Sequence, residues 1–147
     1  MVGMSGGILD ATQTFWASDA LRDALMALGE RIDMAPGQVL FRQGEDVRGV
    51  FILLQGKVRL SLADRGIFYQ RWVSTGGVLG LPATMCLKPY SLSAEAEEPL
   101  SAVFIAHTTV KEFLRTRPDL CFEVVEILAR EVREMRYATS AVAASTV

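Results

Sequence analysis

The chain has 147 residues, 50% of them hydrophobic, and a formal net charge of −2. That is the size and composition of one folded domain with its own core rather than of a disordered segment. The mixed, slightly acidic charge argues against a free-standing nucleic-acid binder, which carries a basic excess on one face, and no apolar run approaches the ~20 residues of a membrane-spanning helix.

The first residues, "MVGMSGGILD", lack both the basic segment and the long apolar segment of a secretory signal. The two cysteines, Cys86 and Cys121, are far apart and form no C-x-x-C pair, so reduced thiols in a cytoplasmic protein are expected. Residues 1–17 read as an N-terminal arm. Ser18 has the character of an N-cap, Leu21, Leu25 and Leu28 follow at helical spacing, and Gly29 is placed to end that helix.

From Met34 the pattern changes. Glycines recur at Gly37, Gly44, Gly49 and Gly56, with short apolar runs between them. Val58, Leu60 and Leu62 alternate with Lys57, Arg59 and Ser61, the period of a half-buried strand. Ala63–Gly66 reads as a hairpin turn with Ile67–Val73 as its return strand, and Ser91–Ala96 and Leu100–Ile105 as later strands. Roughly eight short strands separated by turn residues point to a jelly roll. Between the return strand and Ser91 lies "GGVLGLPATMCLKPYS" (Gly76–Ser91), whose G-L-P-A can start a short helix. The helix and barrel are assigned to residues 18–107, and two further helices with a tail to residues 108–147, all within a single domain.

Thr109 and Glu112 have the spacing of a capping box, so a short helix is expected to start there. Pro118 suits the first turn of a second, longer helix. On that helix Cys121, Val125, Leu128, Val132 and Met135 are spaced 4, 3, 4 and 3 residues apart, an a/d heptad register. Leu120, Val124 and Ile127 form a second apolar stripe beside it. One stripe is expected to pack on the strands and the other, the heptad seam, to pair with a second copy as a homodimer. Glu126, Arg130 and Glu134 can pair along the exposed face.

The stretch "GQVLFRQGEDVRGVFILLQGKVRLSL" (Gly37–Leu62) resembles the first half of the cyclic nucleotide-binding domain of Crp/Fnr-type bacterial regulators. Gly37, Phe41, Gly44, Gly56 and Val58 fall where that family places its turns and core. The resemblance covers about Ser18–Tyr137 and implies a mainly β fold with flanking α: an N-terminal helix, a jelly-roll (double-stranded β-helix) barrel, a short helix and a long dimerisation helix. It also makes Gly76–Ser91 the phosphate-binding cassette. There a glycine and a short helix would offer N–H groups to a cyclic phosphate, a glutamate would hold the ribose, an arginine would neutralise the phosphate, and a Ser or Thr would add a hydrogen bond. Gly80 and Ser91 match, but Leu81 stands for the glutamate and Tyr90 for the arginine. Leucine accepts no hydrogen bond, and tyrosine carries no positive charge. Lys88 is a flexible point charge that does not reproduce the arginine fork.

The resemblance therefore implies a regulatory sensor module for signal transduction or transcription regulation, degenerate for cAMP and cGMP, with Gly80, Leu81, Pro82, Ala83, Tyr90 and Ser91 as ligand-binding candidates. Its effector would be another small molecule, and in a pocket still in use Tyr90 would face the ligand. The alternative is a ligand-free dimerisation or protein-interaction domain with a vestigial pocket. Regulators of this type carry a helix-turn-helix domain, which residues 1–147 lack, so no direct DNA contact by this chain is expected. No cofactor, metal or membrane association is expected either. His107 alone cannot make the histidine cluster of a metal-dependent jelly-roll enzyme, two cysteines cannot hold an iron–sulfur cluster, and no catalytic motif is present.

Overall fold

The computed structural model describes residues 17–64 and 66–146, the side chains of Asp64, Ile67, Glu131 and residues 134–146 excepted. Helix α1 (Asp19–Met26) leads into strands β1 (Glu30–Met34), β2 (Val39–Phe41), β3 (Gly49–Gln55), β4 (Val58–Asp64), β5 (Ile67–Val73) and β6 (Val78–Leu79). A short helix α2 (Leu81–Cys86) precedes β7 (Ser93–Ala96) and β8 (Leu100–Ala106). Helices α3 (His107–Arg115) and α4 (Pro118–Thr146) complete the order. The strands form two four-stranded antiparallel sheets, β1-β8-β3-β6 and β2-β7-β4-β5. This is the expected jelly roll.

Two apolar cores share one strand. Phe51 and Leu53 of β3 point between the sheets, where they meet Leu40, Phe41, Val58, Leu60, Val73 and Leu79. Val50 and Ile52 point the other way, under Leu21 and Leu25 of α1, Val110 and Leu114 of α3, and Leu120, Val124 and Ile127 of α4. A strand covered on both faces needs no polar alternation, which is why "VFILL" is an unbroken apolar run. The β4–β5 hairpin, whose outer face is not covered in this way, keeps the period-2 pattern and pairs from Val58↔Val73 to Asp64↔Ile67.

The helices correct several details. The Ser18 hydroxyl accepts from the Leu21 N–H at 3.2 Å, as an N-cap does, and donates to Glu123 Oε1 of α4 at 2.7 Å. Helix α1 ends at Met26 with Ala27 as its C-cap, so Gly29 does not terminate it and Leu28 lies beyond it, exposed. A Cβ at Gly29 would come within 2.5 Å of the Phe104 carbonyl oxygen; the glycine is there to let the chain cross β8. The capping box is also corrected. Helix α3 begins at His107, its N-cap is Ala106, and no side chain caps it. Strand β8 runs straight into the helix, and the His107 N–H is already taken by the Arg48 carbonyl at 3.0 Å. Strand β7 starts at Ser93, two residues later than the pattern suggests.

Helix α4 has 29 residues, about 43 Å at 1.5 Å per residue. Its Leu120, Val124 and Ile127 are buried against the domain, whereas Val125 and Val132 are each 55% exposed and Phe122 is 65% exposed. Cys121 and Leu128 are partly buried at the edge of the outer core, and the side chain of Met135 lies outside the described residues. Among the described residues no helix is long and apolar enough to cross a membrane.

Candidate functional site

Gly80, between β6 and α2, is the N-cap of α2 in the left-handed region (φ 85°, ψ 10°). A Cβ there would lie 2.8 Å from the Gly49 carbonyl oxygen and 3.2 Å from Tyr90 Cε1. Glycine is therefore required both by the dihedral and by the closeness of two neighbours. Helix α2 is six residues long with Pro82 in its first turn. A proline has no N–H, so this helix start has fewer donors for an anion than the same turn built without one.

Leu81 is 1% exposed and belongs to the outer core with Val50, Ile52 and Val110. Ala83 belongs to the inner core with Tyr90. Pro82 is half-buried, and Ser91 and Lys88 are exposed. The turn thus brings Gly80, Leu81, Pro82, Ala83 and Tyr90 together but sends Leu81 and Ala83 into different cores and leaves Ser91 in solvent.

Tyr90 is the centre of the arrangement. It is 2% exposed, and its ring stacks on Phe41 with centroids 4.0 Å apart and planes 12° apart. Its hydroxyl accepts from the backbone N–H groups of Arg48 and Gly49, each at 3.1 Å, and donates to the Gly49 carbonyl at 2.9 Å. Its own backbone donates to the Glu45 carbonyl at 2.9 Å and accepts from the Gly44 N–H at 2.8 Å. The side chain faces the barrel interior, as a pocket residue should, yet its polar end is spent on the first peptides of β3. Arg48 places its guanidinium on the Leu40 carbonyl and 3.8 Å from Glu45, on the surface.

On β5 lies a buried charged residue that no motif in the sequence marks. On β4 and β5 the cross-strand pairs Val58–Val73, Leu60–Arg71 and Leu62–Tyr69 alternate onto one face, and Val58, Leu60 and Val73 are inner-core residues. Arg71, on the same face, is 3% exposed and is the one buried charged side chain among the described residues. Its Cζ lies 5.7 Å from the centroid of the Tyr69 ring. Strand parity in Ile67–Val73 was the available signal, since it puts Tyr69, Arg71 and Val73 on one side.

Residues 31–117, more than half of the chain, match the cyclic nucleotide-binding domain family. The chain belongs to that family. The fold of this cyclic nucleotide-binding domain is shared with solved bacterial proteins that include a catabolite activator protein and the N-terminal domain of a transcriptional regulator. The Thermus thermophilus catabolite activator protein superposes with a TM-score of 0.74 at 20% identity, over 86% of this chain and 60% of that one. Oxidized CprK in complex with o-chlorophenolacetic acid gives 0.66 at 22% identity, over 90% of this chain and 55% of that one. The N-terminal domain of a transcriptional regulator from Streptomyces coelicolor A3(2) gives 0.62 at 20% identity, over 84% of this chain and 87% of that one. The chain therefore spans about three fifths of the Thermus protein and just over half of CprK. No curated protein matches the sequence. In this cyclic nucleotide-binding domain, the two cassette positions that the resemblance assigns to charged groups are held by Leu81 and Tyr90, both of them core residues.

Proposed function

We propose that this domain is a regulatory sensor module, not an enzyme, whose phosphate cassette is closed to cAMP and cGMP and whose output runs through a homodimer of α4. The observation that carries the reading is the Tyr90 hydroxyl, bound to both the N–H and the carbonyl of Gly49. A cyclic phosphate seated at the turn would have to compete with that phenol and would find no cation in its place. An anion taken from water into such a setting loses several kcal/mol of hydration without a matching charge. Leu81 adds to this, because its side chain lies in the outer core and has no polar group for a ribose.

The dimer rests on the two faces of α4. Leu120, Val124 and Ile127 are used within the domain, while Val125 and Val132 stay exposed at heptad spacing. A second copy of the same seam, with Cys121, Leu128 and Met135 completing the register, would cover them as a two-stranded coiled coil. The CprK complex supports an effector other than a cyclic nucleotide in this fold, since that protein was solved with an aryl acetic acid. The ligand-free dimerisation domain is a second reading, favoured by the same burial of Leu81 and Tyr90.

Titration calorimetry with cAMP and cGMP tests the proposal. No saturable heat is expected up to millimolar nucleotide. Binding in the nanomolar or low-micromolar range would overturn the closed-cassette reading.

A further inference from the structure

We propose that the Ser18–Glu123 pair is an autoinhibitory latch: it fixes the rotation of α4 about its own axis, so that part of the heptad seam stays turned into its own domain and is withheld from a second copy. The inference rests on the dimer reading above and names what restrains that dimer.

The latch is a carboxylate seated on a helix start. Glu123 Oε2 accepts from the Ser18 N–H and Oε1 from the Ser18 hydroxyl, both at 2.7 Å. The same hydroxyl accepts from the Leu21 N–H at 3.2 Å, so one serine both caps α1 and grips α4. Bonds to an ionised acceptor are stronger than neutral ones, and a negative charge at the start of α1 meets the positive end of its dipole. Among the described residues these are the only hydrogen bonds between α1 and α4. Otherwise the two helices share the outer core, where Leu21 and Leu25 cluster with Leu120, Val124 and Ile127. Apolar burial is non-directional and tolerates a small rotation. A two-point hydrogen-bonded grip does not.

The place of Glu123 on α4 gives the latch its effect. At about 100° per residue, Glu123 lies on one flank of the buried Leu120–Val124–Ile127 stripe, and Cys121, Val125, Leu128 and Val132 lie on the other. In the latched position that other flank is divided. Val125 and Val132 are exposed, but Cys121 and Leu128 are partly buried against the outer core. A side chain packed on its own domain is not free to fill a hole on a second helix. The latched seam is therefore incomplete. Turning α4 far enough to bring Cys121 and Leu128 out would carry Glu123 toward the domain and off Ser18. The carboxylate would lose both donors and move toward apolar neighbours, which an ionised group resists. The latch and the complete seam thus exclude one another, and losing the latch favours the dimer.

The test uses the intact chain. Sedimentation velocity over a concentration series gives the dimer constant of the parent and of Glu123→Ala, which removes both bonds and the carboxylate. The variant should dimerise at least about fivefold more tightly, the low end of coupling between linked equilibria. A second readout needs no dimer. In a Cys86→Ser, Val132→Glu background Cys121 is the one thiol left, and its rate of alkylation by iodoacetamide at fixed pH reports how far it is turned out. Glu123→Ala should raise that rate at least about fivefold. Gly37→Ala, which strains a barrel turn away from α4, should leave it unchanged. Ser18→Gly, which keeps a residue acceptable at an N-cap and removes only the hydroxyl bond, should move both readouts the same way by less. The proposal is overturned if Glu123→Ala leaves the alkylation rate at the parent's value, if it fails to tighten a dimeric parent, or if Gly37→Ala speeds alkylation equally. A parent and variants that are all monomeric would overturn the homodimer reading instead, and the alkylation rates would then decide the latch by themselves.

Discussion

Replacing Tyr90 by phenylalanine removes one oxygen and keeps the ring that stacks on Phe41. Three hydrogen bonds go with it: those from the Arg48 and Gly49 N–H groups and the one to the Gly49 carbonyl. Arg48 is at the surface, so water can replace its lost acceptor in part. The Gly49 bonds are buried, and a buried N–H left without an acceptor costs about 1–3 kcal/mol, with a further ~1 kcal/mol for the carbonyl's lost donor. Tyr90→Phe should therefore destabilise the domain by about 2–4 kcal/mol. At about 2–4 °C per kcal/mol for a chain of this size, Tm falls by roughly 10 °C. Urea unfolding followed by far-UV circular dichroism at fixed protein concentration measures it; the midpoint should drop with the m-value unchanged. A loss below about 1 kcal/mol would mean that the phenol does not hold the start of β3, and the reasoning about the closed cassette would fail with it.

Gly80→Ala should cost about 3 kcal/mol, of which ~1–2 is left-handed strain and the rest contact with Gly49 and Tyr90. Gly37→Ala, at a similar φ of 87° but with nothing within 4 Å, should cost only the ~1–2 kcal/mol of strain; equal losses in the two denaturation curves would discount the contacts. Leu81→Glu buries a carboxylate in the outer core, so a loss of at least about 3 kcal/mol is expected, with no nucleotide affinity gained; a stable variant that binds cAMP refutes the placement of Leu81. Val132→Glu should turn a dimer into a monomer in sedimentation velocity while changing monomer stability by no more than about 0.5 kcal/mol, since Val132 is exposed. A parent that is already monomeric, or a variant that stays dimeric, contradicts the heptad seam.

The elements governed by local rules were legible in the sequence. Alternation located β4 and β5, Gly37, Gly44 and Gly56 marked turns while Gly49 proved to be the first residue of β3, Ser18 capped α1, and Pro118 opened α4. The errors fall where a distant segment takes over a local role. Thr109 and Glu112 carry a valid capping pattern, but β8 continues into α3 and the Arg48 carbonyl engages the His107 N–H. Gly29 looks like a helix stop and is instead a crossing point against Phe104. The candidate site was half legible. The resemblance grouped Gly80, Leu81 and Tyr90 in one cassette, but it could not show that the Tyr90 hydroxyl meets Gly49, 41 residues away in sequence. Nor could it show that Leu81 and Ala83, two residues apart on α2, belong to separate cores. Arg71 was available from strand parity, yet parity alone does not say which face of a strand is the inside.

The most direct test of the closed cassette is the amide spectrum of the 15N-labelled chain, recorded with and without 1 mM cAMP and followed by transfer to deuterated water. The account predicts that the Gly49 and Arg48 amides, held by the Tyr90 hydroxyl, exchange slowly, Gly49 the slower of the two. It also predicts that neither these nor the Gly80, Leu81 and Ala83 amides shift with cAMP. Fast exchange at Gly49, or saturable cAMP-dependent shifts clustered on Gly80, Leu81 and Ala83, would contradict it.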